Sequence, residues 1–431
     1  MNLAQKIENQ FSIIRAYNRS IKLFLTVPIL FGMYFALKGL FFNFYILGLG
    51  FDKGYLGVAN GMTAGATLVF AFPLGVLTDR IGRKRAVFAG MVILAISYLA
   101  FLMVTGRTAI LVTLFISGIG ETLYWVASTP LLTRLTTQQN RVAVFSLQSA
   151  LFTFTGVFGS FIGGQMPLWF NSLFAIEPGS ILSYRGILIA GFGMLVLSLI
   201  PVAMIPRSAG EMQQPRANTV QAGQTNLWKN LQIILRKKII WQLFIPNLAI
   251  GMGAALMVPY LNLFLVEKFS ITDQLLGTLF SISALLTGVG TLVSPWLARR
   301  LGSRIRALVL AQGSSLFFLL ILGFSPWLGA AMIGLWGRNA LMNMAQPLFS
   351  AFSMEQVADN EQGTLNSLLA FSWQTGWALM PIVSGFIQEN YGFTPIFITT
   401  CIFYAISTMM IWSFFKNSDR PAIRPTAIST V

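Results

Sequence analysis

The chain has 431 residues, 55% of them hydrophobic and 10% charged, with 29 basic against 13 acidic side chains and a formal net charge of +16. Soluble domains carry about 25% charged residues, so this composition, with a mean hydropathy of +0.71, excludes an ordinary soluble fold and indicates an integral membrane protein. Nucleic-acid binders set their bases on a polar fold. Here the bases lie between apolar runs, as in loops that face anionic lipid, so the expected partner is the bilayer and not nucleic acid.

Residues 1–22 form a charged N-terminal stretch that leads into an apolar segment too long for a cleaved signal peptide. Crossing a bilayer takes about 20 mostly apolar residues. Segments of that kind lie at 23–48, 56–78, 86–105, 109–133, 142–168 and 184–205. After the polar linker 206–238, a second set lies at 239–265, 275–297, 306–324, 328–352, 364–388 and 393–415, and residues 416–431 form a short polar tail. The linker ends in LWKNLQIILRKK, whose Leu227, Trp228, Leu231, Ile234 and Leu235 recur at helical spacing, as in a helix lying on the membrane surface. The expected fold class is therefore all-α, with twelve transmembrane helices in two six-helix bundles at 23–205 and 239–415.

Orientation follows from the bases. With the N-terminus inside, the outer loops hold only Lys53, Arg107, Arg185 and Lys268, while Lys38 and Arg338 fall within spans. The other 23 of the 29 lie on the inner side, which by the positive-inside rule puts both termini in the cytoplasm of a cell-membrane protein. One inner loop breaks the pattern: SMEQVADNEQG carries Glu355, Asp359 and Glu361 and no base.

The two sets of spans repeat one another. GMYFALKGLFFNFYI from Gly32 aligns with GMGAALMVPYLNLFL from Gly251, 219 positions later, pairing Gly32 with Gly251, Ala36 with Ala255 and Asn43 with Asn262. Gly156 and Gly376 match at 220, and Pro130 and Pro347 at 217. A parallel repeat of six spans joined by a basic linker is a known transporter architecture.

The cytoplasmic turn between spans 2 and 3 reads GVLTDRIGRKR. It resembles the signature of the major facilitator superfamily, G-x-L-x-D-R-x-G-R-K/R, with Gly75, Leu77, Asp79, Arg80, Gly82, Arg83 and Lys84 in place. Segment 5 carries GSFIGG, similar to the glycine motif of drug/proton antiporters, with Ser160 where proline is usual. The family's helix 4 arginine has no counterpart, because Leu114 stands near that place. The resemblance covers essentially the whole chain and implies a secondary transporter in which spans 1, 4, 7 and 10 line a central cavity.

Charges inside the membrane are few. A charge at the bilayer centre costs about 2.5–3.5 kcal/mol even on a lenient scale, and only Lys38, Glu121 and Arg338 lie there. Each is about 10–12 residues in from the outer end of its span, about 15–18 Å deep at the helical rise. Glu121 and Arg338 are 217 positions apart, the offset of the two prolines. Tyr34 joins Lys38 on one face of segment 1, and Trp125 joins Glu121 in segment 4. Asn339, Asn343 and Gln346 form a polar stripe beside Arg338, and segment 7 brings Asn247 and Asn262. Such stripes are aimed at water, solute or one another. These residues, with Asn43, are the candidate substrate and coupling cavity, and Glu121 is the acidic candidate for proton coupling there, as a proton carrier or as a switchable ion-pair partner.

The expected function is proton-coupled movement of a small organic solute by alternating access, in the export direction, by a monomer. Uptake or facilitated diffusion of a sugar or organic anion, and flipping of a lysolipid, are the alternatives. Enzymatic activity, metal sites and cofactors are not expected: the chain has no histidine, a single cysteine, Cys401, in an apolar run, and one mid-membrane acid. Gly75, Asp79, Arg80, Gly82, Arg83 and Lys84 are expected to form a cytoplasmic gate. Gly75 would permit close helix packing and Gly82 a left-handed turn. The resemblance places Asp79 at the N-terminal end of helix 11, and Glu355, Asp359 and Glu361 are expected to meet the bases of the motif.

Overall fold

The computed structural model describes residues 17–206, 235–358 and 361–417. Within them, each expected span is one helix: α1 (Arg19–Gly48), α2 (Lys53–Ile81), α3 (Arg83–Met103), α4 (Arg107–Leu135), α5 (Arg141–Phe174) and α6 (Ile181–Met204). The second set is α7 (Lys238–Phe269), α8 (Asp273–Leu301), α9 (Arg304–Phe324), α10 (Leu328–Glu355), α11 (Gln362–Tyr391) and α12 (Thr394–Phe415). In lipid every backbone polar group must be satisfied internally, so an apolar chain has helix as its route across.

Ten of these helices are long and apolar enough to cross a membrane. The exceptions are α10 and α11, each interrupted by polar side chains: Arg338, Asn339, Asn343 and Gln346 in one, Gln374, Gln388 and Glu389 in the other. Helix α7 breaks into a 3-10 turn at Val258–Tyr260, where Pro259 removes a backbone donor. The side chain of Asn262 accepts from the amide of Leu263 at 2.8 Å just beyond. The surface-helix residues 227–234 and Asp359 lie outside the described residues.

The chain forms two compact units. The first comprises residues up to Leu49 together with Val69–Pro215, and the second Gly50–Leu68 together with Arg216–Val431. This departs from the boundary expected at the linker, because the first part of α2 groups with the C-terminal helices. The cause is a close crossing with α11: a Cβ at Gly57 would lie 2.5 Å from the Pro381 carbonyl, and one at Gly61 2.7 Å from that of Ala378. Lys53 holds the crossing at its end, its amide donating to Glu389 Oε2 at 2.8 Å and its ammonium to Glu267 Oε2 at 2.7 Å.

In lipid the hydrophobic effect does not drive helices together, so association rests on close packing of small residues and on interhelical hydrogen bonds. In the first unit, α3 and α4 meet at Gly90 and Gly120, where a Cβ on Gly120 would lie 2.6 Å from the Leu94 amide. In the second, Gly376 of α11 lies against Gly251 and Met252 of α7. Ser97 and Ser117 share a hydrogen bond of 2.9 Å between α3 and α4, and Ser407 donates to the Pro246 carbonyl at 2.8 Å between α12 and α7.

Candidate functional site

In the first unit, α1 and α4 bring Lys38 and Glu121 together. Lys38 Nζ lies 3.9 Å from Glu121 Oε2, and the two side chains are 15% and 16% exposed. Trp125 lies one turn beyond Glu121, and Glu121 Oε2 is buried with no hydrogen-bond partner. The Lys38 ammonium stands 5.7 Å from the centre of the Tyr34 ring and 6.0 Å from that of Phe35. Such contacts attract a cation to the ring face. Neither charge is saturated by hydrogen bonds, so the pair is held loosely in an aromatic setting. It joins the two helices by Coulomb attraction and not by a hydrogen bond.

The aromatic stripe of α1 mostly turns inward. Tyr34 is fully buried and meets Tyr98 edge-on at 5.0 Å, so it supports Lys38 from behind and does not line open space. Asn43 is likewise buried within the unit. Trp125 is 42% exposed, as a residue on an open face would be. The glycine just before Glu121 explains its position: Gly120 draws α4 against α3, which fixes the next residue. Gly337, immediately before Arg338, also sits at a close approach, with a Cβ there 2.6 Å from Phe318 Cε1. These glycines are equivalent in the repeat, a signal available in the sequence that the charges alone did not reveal.

In the second unit, Arg338 is 4% exposed. Its Nη1 donates to Asn339 Oδ1 at 2.7 Å, and its Nη2 donates to the Tyr404 hydroxyl. The guanidinium stands 5.6 Å from the centre of the Tyr404 ring, and Nε has no partner. Leaving a buried donor unsatisfied costs about 1–3 kcal/mol. Asn339 is locked in turn, since its amide nitrogen donates to Ser283 Oγ at 2.6 Å. It orients Arg338 and ties α10 to α8.

Arg338 lies on the wall of a cavity of about 320 Å³ within this unit. Asn247, Asn343 and Gln346, three of the candidate residues, line it. Asn247 is also a strut, donating to the Leu369 carbonyl at 2.8 Å and to Ser372 Oγ at 2.6 Å. Asn262 belongs instead to the α7 kink and is not among the residues lining the cavity. Trp373, Trp377, Tyr404 and Gln312 also line the cavity and were not singled out from the sequence. The spacing of Trp373 and Trp377 by one helical turn was the available signal; their rings stand 6.4 Å apart, tilted by 35°.

The expected gate residues have partners within their own units. Gly82 takes φ +92 with ψ 140, an extended positive-φ conformation that favours glycine and differs from the expected left-handed turn. A Cβ at Gly75 would meet Val126 only at 3.8 Å, an ordinary contact, so Gly75 is not a close-packing point. Asp79 and Arg80 are exposed. Arg83 donates to the Pro130 carbonyl at 3.0 Å and Lys84 to the carbonyls of Ala203 and Ile205 at the end of α6, where a cation complements the helix dipole. Glu355 pairs with Arg304, and Glu361 with Lys237 at 2.5 Å. These two acids pair with bases of their own unit. Local pairs form because these bases start α9 and α7, beside the ends of α10 and α11.

Comparison with known proteins agrees with this layout. The family model for the Major Facilitator Superfamily matches residues 23–374 and 248–430. The chain is 26% identical over 179 residues to the multidrug resistance protein MdtG of Yersinia enterocolitica, covering 40% of this chain and 42% of that protein. It is 26% identical over 171 residues to sugar efflux transporter A of Escherichia coli, covering 37% and 42%. The chain thus spans under half the length of the curated relatives it matches. Among solved structures, the nucleoside transporter NupG superposes with a TM-score of 0.72 at 16% identity, over 92% of this chain and 98% of that one. The D-xylose-proton symporter superposes at 0.70 and 12% identity, over 91% and 98%. With its family model spanning nearly the whole chain and twelve helices among the described residues, the protein is a multi-pass membrane protein that belongs to the major facilitator superfamily.

Proposed function

We propose that the chain is a proton-coupled exporter of a small organic solute, with both termini cytoplasmic and Glu121 as the coupling carboxylate. The observation that carries this reading is the loose pair of Lys38 and Glu121, 3.9 Å apart and largely buried. A charge placed at that depth is costly, and a pair too long for a hydrogen bond is a poor structural staple. A proton taken up by Glu121 cancels the charge that holds Lys38, and a step of this kind biases the balance between two arrangements of the helices. Export is supported by the names of the relatives, a multidrug resistance protein and a sugar efflux transporter. The clustering of 23 of the 29 bases in the termini and alternate turns supports the orientation. Asp79, exposed in the signature turn, is assigned to a cytoplasmic gate.

The test is transport by purified protein in proteoliposomes under an imposed pH gradient, with ethidium and a labelled disaccharide as probes. Glu121→Gln is expected to abolish gradient-driven movement while leaving counterflow exchange. Undiminished gradient-driven movement in that variant removes Glu121 from coupling.

A further inference from the structure

The cavity of the second unit has a lopsided chemistry. One cation, Arg338, lies on its wall, and none of the residues lining it is an acid. Every described acid of this unit sits at or near a helix end: Asp52 and Asp273 at the starts of α2 and α8, Glu267, Glu355 and Glu389 towards the ends of α7, α10 and α11, and Glu361 just before α11. Arg338 is met by neutral partners, the Asn339 amide and the Tyr404 hydroxyl. Its Nε and the indole nitrogen of Trp377 are both buried without a hydrogen-bond partner, and both residues line the cavity. Two unused donors and an unneutralised guanidinium at one cavity call for an acceptor that bears negative charge, since buried charges are stable when paired and hydrogen-bonded.

The remaining wall says what that anion is attached to. Trp373 and Trp377 present two indoles on successive turns of α11, and Ile250, Met342 and Phe349 complete an apolar side. Indole faces are stacking platforms for planar groups. A volume of about 320 Å³ lies at the small end of the range for organic ligands.

We infer that this cavity is a binding site for an organic anion whose carboxylate or phosphate is held by Arg338 and whose planar body lies against Trp373 and Trp377. Asn339 acts as a positioning residue, fixing the guanidinium through its bond to Ser283. The inference rests on the transporter reading and deepens it, since it names the solute class.

The test is equilibrium binding to the purified full-length protein, read by isothermal titration with three probes that share one ring: indole-3-acetate, indole-3-acetamide and tryptamine. Indole-3-acetate is expected to bind at least about tenfold more tightly than the amide, the scale of one charge-assisted hydrogen bond, with tryptamine weakest. Arg338→Gln is expected to remove that preference, bringing the two affinities within about twofold of each other. Should Arg338→Gln fail to fold, Trp377→Phe, which keeps a ring and deletes the donor, is expected to weaken indole-3-acetate several-fold. Tryptamine binding as tightly as indole-3-acetate, no binding of indole-3-acetate up to 10 mM, or an anion preference indifferent to Arg338 and Trp377 overturns the inference. The two readings fail separately. Arg338-dependent anion binding without gradient-driven transport overturns proton-coupled export alone, and gradient-driven transport of neutral or cationic probes without anion binding overturns the anion site alone.

Discussion

Lys38 and Glu121 face each other across α1 and α4 at 3.9 Å, with Tyr34 and Phe35 flanking the ammonium. Breaking such a pair from one side leaves the other charge stranded, and that is where the cost of single substitutions arises. Lys38→Met is therefore expected to lower the midpoint of thermal denaturation in detergent more than the double substitution Lys38→Met with Glu121→Met. A double variant as unstable as the single would show that the two residues contribute independently.

Gly120 and Gly75 make opposite predictions although both lie in α-helices. A Cβ at Gly120 would press on the α3 backbone 2.6 Å away, whereas one at Gly75 meets Val126 at 3.8 Å. Gly120→Ala should destabilise the fold by about 1–3 kcal/mol, the usual range for overpacking, and Gly75→Ala should leave stability unchanged. Thermal denaturation of the two variants in the same detergent decides the matter.

Glu361 and Lys237 join the start of α11 to the residue preceding α7, at 2.5 Å. Reversing either charge alone should reduce thermal stability, and the exchanged pair Lys237→Glu with Glu361→Lys should recover most of the loss. Lack of recovery would mean that neighbours other than the partner set the cost.

Asp79 stands exposed while Arg83 and Lys84 are occupied with carbonyls of their own unit. If Asp79 serves a gate, Asp79→Asn should lower the transport rate several-fold with no change in denaturation midpoint. Retained full activity would remove the gate role.

Much of this architecture was legible in the sequence because lipid leaves an apolar chain few choices. The spans follow from hydropathy, the meeting of Lys38 and Glu121 from their isolation in apolar helices, and the positive φ of Gly82 from its motif. Partner choice was less legible. Glu355 and Glu361 looked like complements to the basic turn, yet Arg304 and Lys237 are nearer along their own unit. Sequence counts charges by loop, whereas pairing is decided by which helix ends lie side by side. Tyr34 was misplaced for a related reason: its face of α1 is covered by Tyr98 of α3, and amphipathicity is faint on a helix that is apolar all round. Tyr404 and Gln312 of the cavity wall sit among small hydroxyl residues, Thr400, Ser407 and Thr408 beside the one and Ser315 beside the other, which stand out less in an apolar helix than amides or charges do.

The assignment of Gly50–Leu68 to the second unit bears on how this protein is divided in the laboratory. A fragment beginning after the linker carries α11 with Pro381 and Gly385 but lacks the stretch of α2 that lies over them. It also loses Lys53, the partner of Glu267 and Glu389. The two sequence repeats are therefore not two self-sufficient modules. The helices of the second unit are completed by a segment synthesised far earlier in the chain, which makes the order of synthesis part of the assembly of the C-terminal half.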